Sequence, residues 1–159
     1  MPITNAHTIK PLPQQSFHEL DYAIMGMAFD MHNQLGRFYN EKIYQNELMR
    51  ECINKGFDVQ KELEIKLIHK DYSKSLFIDL LINGCVYELK TIQSIQEIQR
   101  TQTLDYLFAT NTQHGKIINF HPASIEHEFV STTLNKQQRH KYEIKCNRWY
   151  NASENTHVL

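Results

Sequence analysis

The sequence predicts one domain of the α/β (α+β) class, built around a mixed β-sheet. Three observations support this prediction: two amphipathic helical segments come first, a two-residue hairpin signal lies between two apolar runs, and another helical segment separates that hairpin from a later strand. The order ααβββαβ places an antiparallel hairpin in the sheet and helices beside it. With 159 residues, of which 41% are hydrophobic and 22% charged, the chain suits one globular domain.

The first predicted helix begins at Ser16, which forms a capping-box pattern with Glu19, and ends before Gly36. Its apolar stripe at helical spacing consists of Phe17, Leu20, Ile24, Met27, Met31 and Leu35. This stripe, rich in methionine, predicts a core-facing helix, because methionine readily fills gaps in apolar interiors.

The second predicted helix has Asn40 as its N-cap and runs to about Lys55. Glu41 lies one turn before Tyr44 on the apolar face, so its carboxylate is expected to point inward. Two interpretations remain open for Glu41. In the first, the acid stabilises the helix by its favourable interaction with the helix dipole, and the residues alone favour this interpretation. In the second, the carboxylate serves a site in the interior.

From residue 57 onward the apolar pattern is that of strands. Strands are predicted over residues 57–60, 63–69, 75–82, 85–91, 115–120 and 125–131, with a turn over 71–74. A second capping-box pattern, Ser94 and Glu97, predicts a helix that extends to about Thr110. Both hairpin strands are apolar on both faces, which predicts central strands covered on each side.

Asn83-Gly84 joins the hairpin strands and predicts a type I′ turn, because that turn needs positive φ at both central positions. Such a turn fixes the pairs Ile82–Cys85, Leu81–Val86 and Leu80–Tyr87. It would then place Asp79 opposite Glu88. Lys90, two residues past Glu88, would project from the same face.

Two opposed carboxylates in an apolar hairpin repel each other unless something offsets their charge. Oxygen ligands of this kind suit Mg²⁺ or Mn²⁺, and the backbone carbonyl of Leu89 could add another oxygen. Lys90 could position a water molecule and stabilise charge on a phosphoryl group. The alternative is that Lys90 only neutralises one acid, which is less favoured because buried ionic clusters stabilise proteins weakly.

Other polar residues predict little chemistry. Surface or hydrogen-bonded positions are expected for His69, His114, His121 and His127, whose spacing does not suggest a metal site. Cys52 and Cys85 are expected to be small buried thiols. The net charge of −1 argues against a global basic field, so a nucleic-acid partner would need a local binding patch. The absence of a signal peptide or long apolar run predicts a cytoplasmic, soluble protein without a membrane partner.

The two ends of the chain differ from the middle in composition. Residues 1–15 carry three of the four prolines and predict a flexible leader, and residues 136–159 form a basic and aromatic extension. That extension suits contact with a nucleic-acid backbone, a solvated terminal element or a homo-oligomer contact, and the solvated element is favoured. The predicted central domain spans residues 16–135.

Several motifs resemble those of one superfamily. Asp79, eight intervening residues and then Glu88-Leu89-Lys90 resemble the signature of the PD-(D/E)XK nuclease superfamily, with Ile78 in place of the proline. Residues 35–44 resemble the segment that names its GxxExxY group of small bacterial proteins. Residues 102–107 and 115–120 resemble that group's Gln-x-x-x-Tyr-Leu helix and closing strand. Phe38 replaces the group's second glycine, so a shifted start of helix two is expected.

The resemblance implies a restriction-endonuclease-like core and a Mg²⁺- or Mn²⁺-dependent nuclease, with DNA as the favoured substrate. In that comparison Asp79 and Glu88 would bind the metal, Glu41 would reach it through water, and Lys90 would be the catalytic lysine. The residues implied to line the site, one helical turn apart, are Gln102 and Tyr106. The alternative function is a non-catalytic module that keeps the nuclease fold and binds nucleic acid or protein.

Overall fold

The computed structural model describes residues 3–4 and 12–132. The helices are α1 (Gln14–Leu35), α2 (Glu41–Asn54) and α3 (Glu97–Thr110). The strands are β1 (Ile3–Thr4), β2 (Val59–His69), β3 (Tyr72–Ile82), β4 (Cys85–Lys90), β5 (His114–Asn119) and β6 (Glu126–Ser131). They form one sheet in the order β1-β2-β3-β4-β5-β6, in which β4 and β5 are parallel and all other neighbours antiparallel. The predicted mixed α+β fold with an antiparallel hairpin is confirmed.

Helices cover both faces of the sheet. On one face α1 and α2 pack on the sheet through a cluster that includes Phe17, Tyr44, Tyr87 and Phe120. On the other face α3 packs on it through a second cluster that includes Val86, Leu104, Leu107 and Ile117. Strand β4 contributes to both clusters, as expected for a central strand.

Strand β3 is covered only in part, which corrects the prediction for this half of the hairpin. Residues 72–75 are exposed, whereas Leu80, Leu81 and Ile82 are buried. The reason is length: β2 and β3 have 11 residues each and β4 has 6, so the β2–β3 ribbon extends beyond its neighbour. Pairing between Leu67 and Lys74 also draws the predicted turn at 71–74 into the strand.

The β2–β3 ribbon changes faces halfway along its length. Val59 packs with the α1–α2 cluster, although Leu63, four residues later and on the same side of an ideal strand, packs with the α3 cluster. Glu62, which lies between them, has a φ of 52°, and the register places it across from Asp79. The prediction of two separate segments, 57–60 and 63–69, therefore becomes one strand with an irregular residue.

Two predicted helix starts are wrong. Helix α1 begins at Gln14 rather than after Ser16, because the carbonyl of Pro13 already accepts the N–H of Phe17. Helix α3 has Gln96 as its N-cap, which forms a capping box with Gln99 in place of the predicted Ser94–Glu97 pair.

The turns that depend on local sequence agree with prediction. Asn40 Oδ1 accepts the N–H of Ile43 at 3.2 Å, so α2 begins where Asn40 predicts and Phe38 does not shift it. Asn83 and Gly84 have φ values of 48° and 80°, the positive pair that a type I′ turn requires. The three predicted apolar pairs of the hairpin are present.

Cys52 and Cys85 are buried free thiols, as predicted. Among the described residues, none of the helices is both long and apolar enough to span a bilayer. Within the predicted leader, Ile3–Thr4 pair with β2 and α1 already begins at Gln14. Residues 1–2 and 5–11, and the predicted basic extension 136–159, lie outside the described part of the chain.

Candidate active site

The predicted acidic pair lies where β3 and β4 part. Their ladder ends at Leu80 and Tyr87, so Asp79 and Glu88 are not the next cross-strand pair that the turn predicted. Instead, the N–H of Asp79 donates to Glu88 Oε1 at 3.0 Å, and the N–H of Leu89 donates to Asp79 Oδ2 at 2.9 Å. The two carboxylates therefore replace the ladder acceptors, which holds them together across diverging strands.

A glutamine of α2 fixes the backbone at this point. Gln45 Nε2 donates to the carbonyl of Asp79 at 2.9 Å, and the Gln45 side chain is buried. The bond satisfies a carbonyl that the ladder leaves, since buried backbone groups need a partner. Sequence reasoning missed Gln45, although its position four residues after Glu41 was a usable signal, because such residues share a helix face.

The Glu41 carboxyl group points toward the same place. It lies close enough to the backbone N–H of Thr91, directly after β4, for the two groups to interact. Burial raises the pKa of Glu41; Lys90 nearby opposes this shift and the charge of Asp79 adds to it. Glu41 also lies in the first turn of α2, where the helix dipole favours an acid, so both of its interpretations stay open.

Lys90 connects the strand acids to α3. Its Nζ donates to Gln102 Oε1 at 3.0 Å and lies 3.8 Å from Glu88 Oε2. Tyr106 lies one turn after Gln102 on α3, and the two side chains interact. Burial raises the pKa of Tyr106, so its hydroxyl stays protonated at neutral pH. The structure thus brings together all six predicted side chains: Asp79, Glu88, Lys90, Glu41, Gln102 and Tyr106.

The three carboxyl groups lie in an environment that disfavours their charges. Burial raises the pKa of Glu88 well above its ordinary value, and the neighbouring charge of Asp79 adds to the shift. Burial also raises the pKa of Asp79, against the opposing effects of the Leu89 N–H and Lys90. The side chains of Asp79 and Glu88 also interact directly with each other.

This donor set fits a divalent cation chemically. It offers carboxylate oxygens that are partly buried, where a cation could offset the charge that burial disfavours. Lys42 also opposes the acidic charge, but its ammonium group pairs with Glu62. Across residues 12–132, no three acidic, histidine or cysteine side chains are already gathered as metal ligands.

A groove of about 510 Å³ adjoins the partners of Lys90. Its walls come from β3 and α3, and its lining residues are Lys74, Leu76, Glu97, Ile98, Thr101, Gln102, Asp105 and Tyr106. Gln102 and Tyr106 belong to both the groove and the site, so an elongated molecule in the groove would reach Lys90.

The histidines lie elsewhere. His114 is buried on the α1 side, where its ring stacks on Phe17 with the ring centroids 5.0 Å apart, so of the two expected positions, surface or hydrogen-bonded, it does not occupy the surface one. The reason is that β5 is buried along its whole length. His121 is half-buried, His127 is exposed, and the His69 side chain lies outside the described part of the structure.

A comparison with protein families agrees with this arrangement. The family model described as the PD-(D/E)XK nuclease superfamily matches residues 18–131, from the first turns of α1 to the end of β6. No match was found among the curated proteins or among the solved structures.

Proposed function

Because the chain belongs to the PD-(D/E)XK nuclease superfamily, we propose that it hydrolyses phosphodiester bonds of nucleic acid, with DNA favoured, in the cytoplasm. The observation that carries the proposal is that Asp79 and Glu88 hold each other beside Lys90 where β3 and β4 part, with Glu41 within electrostatic reach. A set of desolvated acids next to one ammonium group is poor for stability and suited to a cation and a phosphate.

The metal proposed here is Mg²⁺ or Mn²⁺. Asp79 and Glu88 would hold it directly with the Leu89 carbonyl, and Glu41 would reach it through water. When bound, such an ion supplies charge that polarises a phosphoryl oxygen and lowers the pKa of a bound water. Gln45 would keep Asp79 in place through its backbone bond.

Lys90 is the proposed catalytic lysine. Its ammonium group is held by Gln102, so it is oriented before a substrate arrives. An oriented ammonium can donate to a phosphoryl oxygen and stabilise the charge that develops there. Tyr106 acts one step further away, since it contacts Gln102 and lines the groove.

A non-catalytic binding module is the second candidate. The net charge of −1 favours it, because tight nucleic-acid binders usually present a stronger basic surface. The desolvated carboxyl groups speak against it, since binding phosphate without a cation would bring more negative charge to Asp79 and Glu88. A homo-oligomer held by residues 136–159 also stays a prediction, which light scattering with and without that segment would test.

The test is a cleavage screen with single-stranded, duplex and branched DNA and with RNA, in Mg²⁺ or Mn²⁺. Wild type should cut at least one substrate. Lys90→Ala should lose about 100-fold or more of the rate, as expected when a preorganised charge donor is removed. Lys55→Ala, an exposed lysine at the end of α2, serves as the matched control and should cut normally. If wild type cuts none of these substrates, the enzyme proposal is wrong. DNA affinity that survives both Asp79→Asn and Lys90→Ala, without cleavage by wild type, would then select the binding module.

A further inference from the structure

The turn between α1 and α2 presents aromatic rings to solvent beside the candidate active site. Phe38 is 81% exposed and Tyr39 is 48% exposed. Large apolar rings in water gain nothing for folding, so two adjacent ones invite a binding explanation.

The buried side chain of Tyr44 holds this turn in place. Tyr44 donates its hydroxyl hydrogen to the carbonyl of Gly36, and the N–H of Tyr39 donates to the Tyr44 hydroxyl at 3.4 Å. Tyr44 itself stacks on Phe120 with ring centroids 4.4 Å apart. The exposed rings therefore rest on a fixed support and would lose little freedom on binding a ligand.

The stacked pair of Tyr44 and Phe120 is also connected to the candidate active site. The N–H of Phe120 donates to the carbonyl of Lys90 at 2.9 Å, which ties the support to the lysine's backbone. Phe38 is three residues before Glu41, so the chain allows no more than about 11 Å between their Cα atoms. A nucleotide at the candidate site would thus have Phe38 and Tyr39 as near neighbours.

A cation accompanies the rings. The Arg37 guanidinium lies over the Phe38 ring, 4.9 Å from its centroid, and Arg37 Nε donates to the carbonyl of His121. His121 meets the Phe38 ring edge-on at 6.2 Å. Exposed rings with a fixed guanidinium match the contacts that hold unpaired bases and their phosphates, whereas a duplex hides its base faces.

We propose that the Arg37–Tyr39 turn is a stacking platform for an unpaired nucleotide next to the scissile phosphate, with Phe38 as the principal ring. This inference rests on the proposed nuclease function and narrows its substrate to nucleic acid with a single-stranded segment. Arg37 positions the Phe38 ring and contributes charge toward the phosphate.

The test measures the affinity of the full chain for labelled oligonucleotides by fluorescence anisotropy in Mg²⁺. A Lys90→Ala background slows cleavage during the measurement, and the ligands are a single strand and a hairpin duplex. Phe38→Leu should weaken single-strand binding about tenfold or more, as expected for loss of a base–aromatic stack, with little effect on the duplex. Phe38→Trp should keep the affinity, and its added fluorescence should be quenched by the single strand.

Tyr22→Leu is the matched control. Tyr22 is 86% exposed on α1 and about 20 Å of helix away from the turn, so its loss should leave the affinity unchanged. Equal single-strand affinity of Phe38→Leu and its parent would overturn the stacking platform while leaving the nuclease proposal intact. An equal loss from Tyr22→Leu would also overturn it. Wild type that neither binds nor cuts nucleic acid would overturn both.

Discussion

Two groups of charged residues lie beside β4 and differ in how their charges are balanced. On the α1 side, Asp21 accepts hydrogen bonds from Tyr87 Oη and from Lys116 Nζ, both at 2.9 Å. We call these three residues the buried ion pair cluster; Lys116 also lies 3.7 Å from the centroid of the Phe129 ring. One acid thus meets one ammonium and one hydroxyl.

The candidate active site is balanced differently. There, three carboxyl groups, those of Asp79, Glu88 and Glu41, lie within electrostatic reach of Lys90, and burial raises the pKa of each acid. In the buried ion pair cluster, burial lowers the pKa of Lys116 but Asp21 opposes the shift. A matched buried pair thus suits a structural role, whereas a surplus of acids suits a cation.

The largest expected effect on stability concerns the buried ion pair cluster. Lys116→Met should destabilise the fold by about 3–5 kcal/mol, because Asp21 would be left as a buried charge without its ion-pair partner. Chemical denaturation measures this change. Adding Asp21→Asn to Lys116→Met should restore part of the loss. A stability unchanged by Lys116→Met would contradict the structural role.

In the candidate active site, loss of a charged residue should affect stability in the opposite way. Glu88→Gln should leave the unfolding temperature of the metal-free protein unchanged or raised, because it removes a charge that burial and Asp79 disfavour. Cleavage should fall about 100-fold or more, since even indirect partners of metal ligands are worth 10–100-fold. Parallel melting curves and rates measure both effects. Clear destabilisation without loss of rate would reverse the assigned roles.

A third prediction concerns His114, which lies on the same side of the sheet as the buried ion pair cluster. Burial lowers its pKa from 6.5 to about 4, and nearby His18 adds to the shift. Above pH 6.5 His114 is neutral in both the native and the unfolded protein, so it contributes no pH dependence to the stability. Below 6.5 the unfolded chain binds a proton that the native state takes up only near pH 4, so stability falls by about 3 kcal/mol over this window.

Denaturation of wild type and His114→Leu from pH 8 to pH 4 isolates this effect. The carboxyl groups of the site titrate in both proteins, so their contributions cancel in the difference between the two curves. We expect the wild-type curve to fall more steeply than that of His114→Leu. Parallel curves would show that His114 is protonated as easily in the native state as in the unfolded one.

The smallest expected effect on stability comes from Gln45, which contacts the candidate active site through its hydrogen bond to the backbone carbonyl of Asp79. Gln45→Ala should cost about 1–2 kcal/mol of stability, because the carbonyl of Asp79 loses its donor. Cleavage should also fall, since Asp79 is then less well held. Asn46→Ala, which changes an exposed neighbour, should do neither. Denaturation and rate measurements on the two variants test this difference.

Features that depend on neighbours in sequence could be predicted. The positive φ values at Asn83 and Gly84 and the cap at Asn40 arise within a few residues, so their patterns are visible in the sequence. The start of α3 could not be predicted in this way. The N–H of Ile95 donates to Glu126 Oε1 at 2.8 Å, and this distant contact keeps Ile95 out of the helix.

The site shows the same limit. The turn predicted that Asp79 and Glu88 lie close together, but not that the strands part there, because the parting depends on Gln45 from α2 and on the change of faces at Glu62. The Asp21–Lys116 pair went unnoticed because its members are 95 residues apart and share no motif. Long-range packing, rather than local propensity, decides these features.

The most direct test of the central claim is isothermal titration of Mg²⁺ and Mn²⁺ into wild type, Glu88→Gln and the Asp21→Asn/Lys116→Met double variant. We expect saturable binding to wild type, loss of binding in Glu88→Gln, and retained binding in the folded double variant. Wild type that takes up neither ion, or Glu88→Gln that binds as wild type does, would contradict the claim that the surplus of acids beside Lys90 is a cation site.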